Sequence, residues 1–403
     1  MKYLWIGVSN SDDRRAEIVK KGGKLLSAEV SSEALISGLE ANGIVCDSIN
    51  ASKLPPYPRF PEKKVPCVEW QTQKGAKCVS VGYANRPYLN MLSRKASLVK
   101  EARKWAKENA KEDVTIFVYQ MHSPFMAAAE AIKKIVPNAS IVLIVPDLPQ
   151  FMDLHMSRLK RLLKAIDWKI IKRFMKSVDK YILYSKHMAK FLGLADGSWT
   201  VMEGSFDASL LIDEEEAREE NQKVSVMYSG VLDTRYGIPE LLDAFAELDD
   251  RFELWFTGTG NAVEFINERA ASDSRIKNFG FLPSRRDLLL KQREATMLIS
   301  TRRPDEPASA YCFPSKLFEY MISGNPVLSC RIPGIPDEYF DYLVEMKTVS
   351  KDDIKDAIQK IADMNESERK AIGARSKEFI LKEKSNVAQA RRMMEFLMRR
   401  RIL

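Results

Sequence analysis

The stretch FPSKLFEYMISGNPVLS, residues 313–329, holds a helix start, a helix stop and a strand in one short run. Pro314 and Ser315 suit a helix opening, because proline lacks only an N–H that the first turn leaves unpaired anyway. Gly324 suits the position just past the last turn, and Pro326, two residues on, prevents the helix from continuing. The apolar run PVLS at 326–329 then reads as a strand. Outward from there the same alternation recurs. YLWIGV (3–8), IVCDSI (44–49), VTIFVYQ (114–120), SIVLIV (140–145) and KYILYS (180–185) are strand-like in the first half, and VSVMYSG (224–230), FELWFTG (252–258) and TMLIS (296–300) in the second. Near-continuous apolar strands separated by helical stretches predict an α/β protein with parallel sheets covered on both faces. Ligands of such sheets sit on the loops beyond the C-terminal strand ends.

At 403 residues the chain suits two domains rather than one. The acidic, polar stretch DASLLIDEEEAREENQK, 207–223, is the expected linker, giving domains 1–206 and 207–384. The basic amphipathic segment from about 385 to 403 is expected to pack back on the first domain. Residues 51–68 hold five prolines and read as an irregular excursion. Hydrophobic residues make up 45% and charged ones 29%, which excludes a largely disordered chain. No apolar run approaches the roughly 20 residues that span a bilayer, and MKYLWIGVSNSDD reads as a first strand rather than a signal peptide. Five cysteines, at 46, 67, 78, 312 and 330, form no C-x-x-C pair and suggest buried thiols in a reducing cytoplasm. The net charge of +8 points to an anionic partner: a phosphorylated ligand, lipid head groups or nucleic acid.

Three elements carry candidate chemistry. Lys316 and Glu319 share a face of the first helical turns, where a lysine beside a helix N-terminus can hold an anion and a carboxylate can accept from hydroxyls. A solvated surface pair is the alternative. In YSGVLDTRYGIPELLDAF, 228–245, a strand ends at Gly230, Arg235 lies in the following loop and Pro239 opens a helix. That loop can offer a guanidinium and backbone N–H groups to a diphosphate. FTGTGN, 256–261, places Gly258 and Gly260 after a strand but has Val263 where a dinucleotide fingerprint needs its third glycine. No D-x-D triplet, no G-x-x-x-x-G-K-[ST] and no G-x-S-x-G occurs, and His122, His155 and His187 are scattered. No metal site is therefore expected. A departing diphosphate would be stabilised by protein cations and helix dipoles.

Together these elements resemble family 4 glycosyltransferases of the GT-B fold, closest to bacterial enzymes of capsular and exopolysaccharide assembly. The resemblance spans nearly the whole chain and is densest at 300–339 and 228–245. VMEGSFD (201–207) is similar to the family's interdomain segment, and IVPDLPQFM (144–152) to its N-domain loop facing the donor sugar. The resemblance implies two Rossmann-like domains facing each other across a cleft, the first on the acceptor side, the second binding a nucleotide-sugar. It implies diphosphate contacts from Arg235 and Lys316, ribose binding by Glu319, and Phe281 and Leu282 beside the nucleobase. Gly230, Gly258, Gly260, Ser315 and Leu317 complete the implied donor wall, and Gly22 and Gly23 resemble the first N-domain loop near acceptor and phosphate. Two departures stand out. The first carboxylate of the family's E-x7-E pattern falls at Tyr311, and the family's Lys-Gly pair becomes Arg235-Tyr236-Gly237.

The reaction so implied is metal-independent transfer of a sugar, with retained anomeric configuration, from a nucleotide-diphosphate-sugar, UDP being the expected carrier. No cofactor beyond that substrate is expected. The acceptor hydroxyl attacks on the face the diphosphate leaves, with His122 and Asp147 as N-domain candidates for touching the sugar. A structural histidine is the alternative for His122. A nucleotide-sugar epimerase and a non-catalytic nucleotide-sugar-binding homologue are the rival readings. The first would need acid–base carboxylates and histidines, in which this chain is poor.

MSRLKRLLKAIDWKIIKRFMKSVDK, 156–180, sets Leu159, Leu162, Leu163, Ile166, Ile170 and Phe174 at helical spacing, with Lys160, Arg161, Lys164, Lys169, Lys172, Arg173 and Lys176 on the flanks. Such a helix can lie in the head-group plane of an anionic membrane, or pack its stripe on a sheet. Only Trp168 and Phe174 lie among the cations, too few to make a row of stacking platforms, which argues against nucleic acid. A lipid-linked acceptor on a polyprenyl-diphosphate carrier, worked on from the cytoplasmic face of the membrane, fits the resemblance.

Overall fold

The computed structural model describes residues 1–23, 27–151, 157–212 and 223–399. His155, Met152 and Met156, residues 213–222 of the expected linker, and residues 400–403 of the last segment lie outside the described residues. Two compact units appear, one formed by Met1–Ser205 with Asn386–Leu403, the other by Phe206–Ser385.

Unit one is built on an eight-stranded sheet in the order Trp199–Val201, Lys180–Leu183, Ser140–Val145, Val114–Tyr119, Lys2–Gly7, Cys46–Asn50, Lys77–Ser80, Val68–Gln71. Neighbours run parallel except the last pair, which is antiparallel. The central strands are apolar throughout and buried, as strands with helices on both faces must be. Val68–Gln71 alternates half-buried with exposed residues, as an edge strand does. The helix Asn386–Met398 packs on Ser27–Ala41: Asn386 Nδ2 donates to the Ala34 carbonyl at 3.1 Å, and Gln389 Nε2 to the Gly204 carbonyl at 2.8 Å.

Unit two is a six-stranded, all-parallel sheet in the order Ile276–Asn278, Phe252–Thr259, Val224–Val231, Met297–Ser300, Val327–Cys330, Val344–Met346. Two apolar clusters cover its faces, and the strands divide between them with period two. Met297 and Ile299 join Tyr228, Phe256, Leu241 and Ile358, while Leu298 joins Leu317, Phe318 and Phe379. Local signals start the helices: Ser350 accepts from the Asp353 N–H, and Asn365 and Glu368 form a capping box.

The nine strands expected from sequence are all present within two residues at each end. Val68–Gln71, Lys77–Ser80, Trp199–Val201, Ile276–Asn278 and Val344–Met346 carried no sequence signal, being short and holding no more than two adjacent apolar residues each.

The helix Arg158–Met175 is capped by Ser157, which accepts from the Lys160 N–H. It docks through Ile171, Phe174 and the Asp167 carboxylate, which accepts from Ser123 Oγ. Leu159, Leu162, Leu163, Ile166 and Ile170 are 36–58% exposed, so the stripe does not pack on the sheet; Phe174 alone of its expected members is buried. No described helix is long and apolar enough to cross a membrane.

Candidate functional site

Counted within unit two, the strand order is 3-2-1-4-5-6. The order reverses between Val224–Val231 and Met297–Ser300, and the loops leaving those two strand ends flank the crevice where such sheets bind ligands. Gly230 is the last residue but one of the first strand, and Ser300 ends the second, with Thr301 and Arg302 following it.

Lys316 opens the helix Lys316–Ile322 and lies across the end of the first of these strands. Its Nζ stands 3.7 Å from the centre of the Tyr228 ring, and its stem passes Gly230. Tyr320, one turn on, fixes that helix to the strand by accepting from the Ser229 N–H at 2.7 Å and donating to the Ser229 carbonyl at 2.8 Å. Burial, and then the Arg302 charge, push the Lys316 amine down to about 7. Among the described residues Lys316 has no ion pair. The surface Lys–Glu pair is thereby ruled out, for Glu319 binds Arg285 instead, Nη2 to Oε1 at 3.0 Å. Burial raises the Glu319 carboxyl, against the pull of that guanidinium.

Arg302 was not singled out by sequence. Its Nε donates to Ser309 Oγ at 3.2 Å and its guanidinium lies 5.4 Å from the Tyr236 ring centre. The signal was available, since Arg302 is the second residue after the strand Met297–Ser300 at the reversal point. Arg285, 34 residues before Glu319, obeys no spacing rule and could not have been found.

Arg235 sits in the turn Thr234–Tyr236 and is not free in this conformation. Its Nε and Nη2 grip both Asp233 oxygens at 2.9 and 2.8 Å, holding Asp233 down to about 2. The side chain is exposed, so the fork can exchange Asp233 for another oxyanion. Gly237 follows in the left-handed region (φ 75°), and a Cβ there would stand 2.5 Å from the Thr301 carbonyl oxygen.

Gly258 and Gly260 serve the sheet. A Cβ would meet the Gly230 carbonyl at 1.8 Å in one case and the Leu232 carbonyl at 2.0 Å in the other. Phe281 is exposed and Leu282 half-buried in the loop after Ile276–Asn278. Ser315 is exposed at the helix start, Leu317 is buried in the core, and Tyr311 follows the short turn Pro307–Ala310.

Unit one holds the other expected residues. His122 and Asp147 follow the paired strands Val114–Tyr119 and Ser140–Val145. His122 packs on Phe125 with ring centres 4.9 Å apart, and its buried Nδ1 has no hydrogen-bond partner. Gly22 and Gly23 end the helix Asp12–Lys20, their N–H groups donating to the Val19 and Ile18 carbonyls. Among the described residues no group of three metal-binding side chains occurs.

Residues 211–379 match the family model of glycosyl transferases group 1. No curated protein matches the chain. Solved structures with the same fold include HepE from Anabaena in complex with UDP, at 14% identity and TM-score 0.61 over 98% of this chain and 99% of that one. Sucrose-phosphate synthase from Thermosynechococcus elongatus aligns at 15% and 0.67 over 98% of both chains. The lipopolysaccharide outer core galactosyltransferase WaaB, in its apo form, aligns at 14% and 0.63 over 98% and 99%. Residues 211–379 thus carry a glycosyl transferases group 1 domain, and the chain has the GT-B fold of these glycosyltransferase structures. Its second unit carries the group 1 domain, and the cations at the end of that unit's sheet lie within the matched residues.

Proposed function

We propose that the chain transfers a sugar, with retention and without a metal ion, from a UDP-sugar to a lipid-linked saccharide in cell-surface polysaccharide synthesis. The observation that carries this reading is the Lys316 amine, set over Tyr228 at the end of the strand Val224–Val231 with no counter-ion among the described residues. A diphosphate supplies that counter-ion. Arg235 exchanges Asp233 for a phosphate oxygen, and the charge of Arg302 adds to the field at the leaving group. Glu319 takes the ribose hydroxyls from its place behind Lys316, and Phe281 offers a ring to the base. The leaving phosphate accepts the proton of the attacking hydroxyl, so no carboxylate nucleophile is required. His122 and Asp147 remain the N-domain candidates for touching the sugar.

The exposed apolar stripe of Arg158–Met175, flanked by Lys160, Arg161, Lys164 and Lys169, supports work at the anionic cytoplasmic face of a membrane.

Calorimetric titration with a panel of nucleotide-sugars, followed by turnover with radiolabelled donor, tests the donor half. Lys316→Met and Arg235→Gln should each weaken binding or turnover of the cognate donor at least tenfold, and EDTA should leave turnover unchanged. Activity abolished by EDTA and restored by manganese would sink the metal-free reading.

A further inference from the structure

Unit one contains a concentration of positive charge that the donor chemistry does not use. Arg94, on the helix Leu89–Glu108, is 7% exposed. Its Nη2 donates to Tyr83 Oη at 3.2 Å, its guanidinium lies 4.6 Å from the same ring, and its Nε is buried without a partner. Tyr83 Oη in turn donates to the Ser52 carbonyl at 2.7 Å, which places the following residue, Lys53, beside this group. Lys53 Nζ donates to Gln120 Oε1 and sits 5.6 Å from the centre of the Phe125 ring, the ring that His122 also packs on. Among the described residues neither Lys53 nor Arg94 forms an ion pair.

The backbone is shaped around this place. Gln120 adopts φ 81°, a conformation that a non-glycine residue rarely takes, directly after the strand Val114–Tyr119. That turn carries Gln120 to Lys53 and His122 to Phe125. The point lies where the strand order of unit one reverses, between Lys2–Gly7 and Val114–Tyr119. Burial, and then the Arg94 charge, push the Lys53 amine down to about 8, and burial, with the charges of Lys53 and Arg94 behind it, holds His122 well below its usual range. Asp147 pulls Lys53 the other way, and it is the one carboxylate among the described residues whose charge is felt at Lys53, against the second cation Arg94. Buried cations in excess over anions are costly unless a further anion completes them.

We infer that Lys53, Arg94 and His122 form an oxyanion site for a phosphate group carried by the acceptor. The assignment to the acceptor rests on the transferase reading, in which unit two binds the diphosphate of the donor; the anion site itself does not.

The test is calorimetric titration of the full chain with inorganic pyrophosphate while UDP is saturating. Wild type should still bind pyrophosphate, and Lys53→Met and Arg94→Gln should each weaken that binding at least tenfold. Because Arg94 is buried, thermal melts without ligand accompany both variants, and Lys53→Met decides the matter if Arg94→Gln does not fold. No pyrophosphate binding by wild type, or wild-type affinity in folded Lys53→Met, overturns the site. If UDP competes pyrophosphate away while Lys53→Met weakens UDP, the anion is the donor's and the acceptor assignment falls. UDP binding to wild type is measured first, so failure of the donor reading is seen separately.

Discussion

With its amine at about 7, Lys316 is only partly charged in the free protein near neutral pH. A bound diphosphate favours the charged form, so binding above pH 7 must take up a proton. Donor affinity is therefore expected to hold below pH 7 and to fall by up to about tenfold per pH unit above it, until the amine of the complex itself titrates. Lys316→Met should bind weakly with a flat profile, and titrations from pH 6 to 9 distinguish the two. Stability follows with its own sign. Between about 7 and the ordinary lysine value of 10.5 the unfolded chain holds a proton here that the folded chain lacks, so this residue's contribution improves as pH rises through that window. Replacing an amine without a counter-ion by a thioether of similar length should therefore stabilise the free protein at pH 7, by about 1 kcal/mol or more, while abolishing the thermal shift that donor produces. An unchanged or lowered melting temperature would contradict this. Lys316 and Glu319 were legible because helical spacing put them at one helix start. Their partners were not, since the Tyr228 ring and the Arg285 guanidinium arrive from other elements and no local rule connects them.

At the level of single elements, the helix Arg158–Met175 separates what periodicity can state from what it cannot. The spacing of Leu159, Leu162, Leu163, Ile166 and Ile170 named a stripe, but a stripe has the same period whether a sheet, a membrane or water covers it. Burial answers that Ile171, Phe174 and Asp167 hold the helix down and the leucines face outward. Changing Leu162 and Leu163 to Asp should then move global stability by about 0.5 kcal/mol or less each, the scale of surface substitutions, while reducing cosedimentation with anionic vesicles severalfold. Lys160, Arg161, Lys164 and Lys169 changed together to Ser should abolish the salt-sensitive part of that binding. Equal binding of wild type to neutral vesicles would count against the electrostatic contribution. The turn at Gly237 gives a contrasting case, because a methyl there meets both the Thr301 carbonyl and Val349 Cγ1, at 2.5 and 2.6 Å, on a backbone with φ 75°. Gly237→Ala should cost about 2 kcal/mol or more and lower the denaturant midpoint without changing its slope.

Across the whole molecule, two sheets with separate apolar cores make one all-or-none transition an unsafe assumption. Calorimetric unfolding with and without UDP should show the nucleotide raising the transition of the unit that carries residues 206–385, by an amount that grows with UDP concentration. A shift confined to the other unit would relocate the donor site. The parallel architecture was legible from nine apolar strands alone, and the reversal point of unit two then followed from strand order. The strand order itself was not legible, because it depends on which crossovers pass which face, and the sequence marks only that crossovers exist.

Unit one takes its last helix from the part of the sequence that follows unit two: Gly38 packs so closely against that helix that a Cβ would come 2.2 Å from the Asn386 carbonyl oxygen. On the ribosome the two halves of this contact emerge far apart in time. After Ser205 leaves the exit tunnel, the whole of Phe206–Ser385 must be synthesised before Asn386 follows, roughly ten to forty seconds at ordinary elongation rates. Through that interval the groove on Ser27–Ala41 waits open to solvent and to chaperones, and by its end every residue of the second unit's core has been made. Chains truncated after Ser385 and released from the ribosome are therefore expected to show a protease-resistant second unit and a sensitive first one, the reverse of the order in which they were made.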